Sequence, residues 1–75
     1  MNRSYHVYAL SDRLKASKIE HEIALVDGVK KITITDDLKE MKLDLDNGKT
    51  TAVMERVVNI CNRISYGCEV HYKFT

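Results

Sequence analysis

The chain has 75 residues, 44% of them hydrophobic and 31% charged, and a net charge of +1. That length gives one small domain with a modest core, and that composition excludes a disordered segment. Basic and acidic residues are interspersed, which excludes the basic stripe of a nucleic-acid binder, and no apolar run approaches the ~20 residues that cross a bilayer.

Residues 5–10, Tyr-His-Val-Tyr-Ala-Leu, are rich in strand formers. Alternation puts Val7 and Ala9 on one face and His6 and Tyr8 on the other. Ser11 offers an N-cap hydroxyl, and Asp12 places negative charge in the first turn of a helix running to about Leu25. Its inward stripe is Ala16, Ile19, Ile23 and Val26, with Lys18 and Glu22 four apart on the wet face. Asp27-Gly28 stops it. Val29 through Thr35 reads as a strand with Ile32 and Ile34 inward, and Asp36-Asp37 as a hairpin turn. Met41, Leu43 and Leu45 alternate with Lys42 and Asp44 in a third strand, and Asp46-Asn47-Gly48 turns the chain. Thr50 or Thr51 caps a second helix, whose stripe is Val53, Val57, Ile60, Cys61 and Ile64. Tyr66-Gly67 breaks it. Cys68, Val70, Tyr72 and Phe74 then alternate with Glu69, His71 and Lys73 in a last strand.

Each strand has one apolar face and each helix one apolar stripe. A four-stranded antiparallel sheet with two helices on one face satisfies them all. Right-handed crossovers over this order give the α+β, ferredoxin-like βαββαβ sandwich. One domain, residues 1–75, is expected, either free-standing or cut from a longer chain. Met1-Asn2-Arg3-Ser4 leads into a polar mixture, so no signal peptide is expected. Cys61 and Cys68 read as reduced, packed thiols rather than a bridge or ligand pair, which points to the cytosol.

From Tyr5 to Val70 the chain resembles the heavy-metal-associated domain of soft-metal chaperones and metal-transporting P-type ATPases. The resemblance rests on Val7-Tyr8-Ala9-Leu10, Ile19-Glu20, Val26-Asp27-Gly28-Val29, Ile32-Thr33-Ile34, the alternating third strand, and Val57-Val58-Asn59-Ile60 in the second helix. The short last loop and strand look more like the N-terminal domains of zinc, cadmium and lead ATPases than like copper chaperones. The family motif, Met-x-Cys-x-x-Cys, falls on Leu10, Asp12 and Lys15, so neither cysteine is present. Cu(I) wants two soft thiolates near a helix N-terminus. Asp12 offers one hard carboxylate and Lys15 a cation that repels metal. Metal binding is not expected at either.

Other residues carry weaker signals. Arg13, Lys15 and Lys18 form a basic cluster at the family's metal-exchange face, suited to docking an acidic surface, although short clusters are usually solvated faces. His6 and His71 face away from the core on neighbouring strands. With Glu69 and water they suit Zn(II); the plainer reading is two exposed histidines. Tyr8 with these rings suggests a stacking surface, but the third strand lacks the aromatic signature of RNA-recognition sheets. His21 has no evident partner. No nucleophile–base–orienter set and no phosphate-cradling loop is present, so the domain is not expected to be an enzyme by itself.

The resemblance implies a degenerate heavy-metal-associated domain, the cytosolic N-terminal accessory or regulatory domain of a zinc-, cadmium- or copper-transporting P-type ATPase. It implies action through contact with other domains or another protein surface. Composition points to no nucleic acid and no insertion into the membrane, and the cofactor expectation is none beyond weak binding of Zn(II) or another soft divalent metal. The alternatives are a free-standing ferredoxin-like interaction module, or a weak Zn(II) carrier using ligands outside the motif.

Overall fold

The structure, a computed structural model, describes residues 1–73. The elements run β1 (Asn2–Tyr8), α1 (Arg13–Ala24), β2 (Val29–Ile34), β3 (Glu40–Leu45), α2 (Thr50–Ile64) and β4 (Glu69–Tyr72). The four strands form one antiparallel sheet in the order β2-β3-β1-β4. This is the ferredoxin-like arrangement expected from the alternation of periods, with both helices packed on one face.

The core collects the residues that the two periods selected. Ala16, Ile19 and Ile23 of α1 and Val53, Val57, Ile60 and Cys61 of α2 are buried against Tyr5, Val7, Ile34, Met41, Leu43 and Leu45 of the sheet. Val26, Ile32, Ile64 and Val70 pack at its margin, half-buried, because the ends of the helices and the outer strands are not covered on both sides.

Several boundaries differ from the sequence expectation. β1 starts at Asn2 and ends at Tyr8, because Asn2, Arg3 and Ser4 pair with Asp44, Leu43 and Lys42 of β3. Ala9 does not continue the alternation. It takes φ 62, leaves the strand and is exposed, while Tyr5 joins Val7 on the buried face. The N-cap of α1 is Asp12 and not Ser11, so the carboxylate sits just before the first turn rather than in it. The N-cap of α2 is Lys49, with no side-chain cap bond; Thr50 already opens the helix. Glu22 pairs with Arg63 of α2 and not with Lys18, tying the helices to each other. Tyr72 is 41% exposed at the sheet edge, and the expected inward position of Phe74 lies outside the described residues.

One carboxylate ties a helix to the sheet, and another ties two strand ends within it. Glu20 Oε2 accepts from the Ile34 N–H at 2.8 Å, so a helix side chain covers a donor on the edge strand β2. Glu40 Oε1 meets Lys73 Nζ at 2.5 Å, and this ammonium holds the Glu40 carboxyl below its ordinary value. Gly28, at φ 99, ends the α1 segment. A Cβ there would sit 3.0 Å from Val53 Cγ2 and 3.1 Å from the Lys49 side chain, so glycine answers both the backbone and the close approach of α2.

Candidate functional site

The antiparallel order brings three connections to one end of the molecule: residues 9–12 between β1 and α1, 35–39 between β2 and β3, and 65–68 between α2 and β4. The pairings of His6 with Glu40 and of Tyr8 with Glu69 fix that end. A cavity of about 600 Å³ opens there, lined among others by His6, Tyr8, Leu10, Ser11, Leu38 and Lys39. Its far wall is the 35–39 turn. The Asp37 carboxylate there accepts from the Thr35 hydroxyl at 2.6 Å and the Lys39 N–H at 3.0 Å. Those two donors hold its pKa below the ordinary value.

The first of these loops and the opening turn of α1 contain the positions that the resemblance singles out. Leu10 is buried, filling the apolar role expected of it. Asp12 Oδ1 accepts from the Leu14 N–H at 2.9 Å, and the Asp12 carbonyl accepts from the Ala16 N–H at 3.0 Å. The carboxylate is therefore turned onto the helix N-terminus, where the free N–H groups and the dipole favour it. Lys15 stands exposed one turn on. One engaged hard oxygen and one ammonium supply no soft donor pair.

The basic cluster divides. The Arg13 guanidinium turns to the end of β2, reaching the carbonyls of Ile34 and Thr35 at 3.5 and 3.4 Å, and lies 3.6 Å from Glu20. Lys15 and Lys18 remain exposed, and no ion pair among the described residues involves them. Beside them Leu14 is 81% exposed, and in the neighbouring loop Tyr66 is 96% exposed.

On the open sheet face His6 and His71 are direct cross-strand partners. The Tyr8 ring packs edge-on against His71 with centroids 5.2 Å apart, and His71 Nε2 lies 2.9 Å from Glu69 Oε1. Among the described residues no three His, Cys, Asp or Glu side chains gather into a metal-holding group. His21 is exposed in the last turn of α1.

Sequence reasoning missed a contact between the two cysteines. Cys61 and Cys68 are both free and buried, and their side chains interact directly. Burial, with Cys68 alongside, pushes the Cys61 thiol up to about 12, and burial raises the Cys68 thiol as well. The helical stripe and the strand alternation had each marked its cysteine as inward. What they lacked was the register of the 65–68 turn, which sets one against the other.

No protein-family model matches the chain, and no curated protein matches it in sequence. Solved structures do match it in shape. A yeast copper transporter domain, determined in apo and Cu(I)-loaded states, superposes with a TM-score of 0.73 at 16% identity, covering 97% of this chain and 94% of that one. The N-terminal domain of PacS from Synechocystis gives 0.71 at 16% identity, covering 99% and 98%. The N-terminal domain of a potential copper-translocating P-type ATPase from Bacillus subtilis, in its Cu(I)-loaded state, gives 0.74 at 14% identity, covering 96% and 85%. The fold is the one these domains share. Within it, this chain has Asp12 at the N-cap of α1 and Lys15 in its first turn, where the sequence resemblance places the family's two cysteines.

Proposed function

We propose that the chain is a degenerate heavy-metal-associated domain that works by contact rather than by thiolate metal transfer. In this reading it is a cytosolic N-terminal accessory or regulatory domain of a heavy-metal-transporting P-type ATPase. The structural likeness to a P-type ATPase N-terminal domain over nearly the whole chain supports the setting. The observation that carries the contact role is the state of the start of α1: the Asp12 carboxylate is spent on capping the helix and Lys15 brings a cation. The same end presents Lys15, Lys18, Leu14 and Tyr66 to solvent, a basic and partly apolar surface suited to an acidic partner face.

The test is a titration of the reduced domain with Cu(I), Zn(II) and Cd(II), followed by backbone NMR. No tight stoichiometric Cu(I) binding centred on residues 11–15 is expected, and finding it overturns the reading. The double variant Asp12→Cys with Lys15→Cys is expected to gain soft-metal binding at this loop. A variant that folds without gaining affinity shows that the loop is misaligned with the family motif. The setting has its own check: a transmembrane region and an aspartyl-phosphate motif downstream in the gene support the ATPase assignment, and a reading frame ending with this domain removes it.

A further inference from the structure

The only two cysteines of the chain are delivered to one place. Cys61 lies near the end of α2, and Cys68 immediately precedes β4. The turn between them is closed by two backbone bonds: the Ser65 N–H donates to the Cys61 carbonyl and the Cys68 N–H to the Ser65 carbonyl, each at 2.9 Å. Gly67, at φ 86, reverses the chain, and its N–H donates to Asn62 Oδ1 at 3.1 Å. The two residues, 0% and 4% exposed, bring their thiols together, Cys68 directly preceding the strand end where Glu69 pairs with Tyr8.

The surroundings specify what such a pair can hold. No third His, Cys, Asp or Glu donor joins it among the described residues. Ions that need four ligands, such as Zn(II), are not served, whereas an ion content with two soft ligands in line is. Charge narrows the choice further. A monovalent ion between two thiolates leaves a buried net negative charge, and the charged group that acts on Cys68 is the carboxylate of Glu69, of the same sign. A divalent ion leaves the buried group neutral. We propose that Cys61 and Cys68 form a buried two-coordinate site for a divalent thiol-seeking ion, Hg(II). Binding breaks two S–H bonds, makes two Hg–S bonds and releases two protons, with no change of oxidation state. The site uses none of the residues of the contact role above, so either can fail without the other.

The experiment adds Hg(II) to the reduced, metal-free domain in the presence of excess glutathione. Native mass spectrometry and the ultraviolet thiolate-to-metal absorption read the binding. One ion per chain is expected to be retained, with both cysteines then protected from alkylation. Cys61→Ser and Cys68→Ser, each left with a single sulfur, are expected to lose about 10²- to 10⁴-fold in retention, the advantage of a second tethered ligand. Circular dichroism checks that they fold; if they do not, the stoichiometry and retention of the unaltered chain decide. Two ions per chain, or loss to glutathione as ready as in the single-cysteine variants, overturns the site. Retention of Ag(I) equal to that of Hg(II) overturns the charge argument that names the ion.

Discussion

Asp12 holds the first turn of α1 through the Leu14 N–H. Asp12→Ala is expected to cost about 1 kcal/mol of stability, and Asp12→Asn far less, because the amide oxygen still accepts. Denaturant unfolding of the two variants measures the difference. Cys61 makes a second prediction, on pH. Its folded value, about 12, lies above its ordinary 9.0. The unfolded chain therefore gives up the proton first, and the contribution is whole below about pH 9 and is lost as pH rises toward 12. Across that window it amounts to about 4 kcal/mol. Unfolding measured from pH 8 to 11 is expected to show a steeper loss in the parent than in Cys61→Ala; equal slopes refute the assignment. At this scale the sequence was legible in residue type and not in phase. Ser11 and Asp12 are both good caps, and one residue of chain direction, set by the left-handed turn at Ala9, decided between them.

At the scale of elements, helix α1 does two jobs. Its apolar stripe seats it on the sheet, and Glu20 reaches past the sheet edge to the Ile34 N–H. A charged acceptor on a half-buried amide is worth on the order of 1–3 kcal/mol. Glu20→Ala is expected to cost about 1 kcal/mol or more and to speed hydrogen exchange at Ile34 more than at Leu43, whose strand is internal. Equal acceleration at both amides would mean global loosening instead. The Ile19-Glu20 pair was visible in the sequence, but only its isoleucine had a structural reading. The role of the glutamate depends on β2 being an edge, which the order β2-β3-β1-β4 decides and no local pattern records. The inward alternation of β3 was fully legible, since Met41, Leu43 and Leu45 are all buried. β4 was less so, because an edge strand leaves Tyr72 half in water whatever its alternation says.

For the whole molecule, the core is a single layer of side chains between sheet and helices, and a domain of this size has little stability to spare. Met41, fully buried at the middle of that layer, is expected to cost about 2–5 kcal/mol when cut to alanine, enough to lower the melting temperature sharply or abolish cooperative unfolding. Circular dichroism on heating settles which. The fold class was readable because the helix and strand periods agreed with one topology throughout. The loop end was not, because its character comes from three segments distant in sequence: a cap at Asp12, a turn at Asp37 and a reversal at Gly67. The same topology has a consequence for synthesis. β1 is an interior strand whose partners come from β3 and β4, with Tyr5 lying against Tyr72. A ribosome releases β1 early and β4 late. One edge of β1 must wait, unpaired and sticky, until residues 69–72 have been made, and the helix α2 that will roof it is made only shortly before its partner arrives.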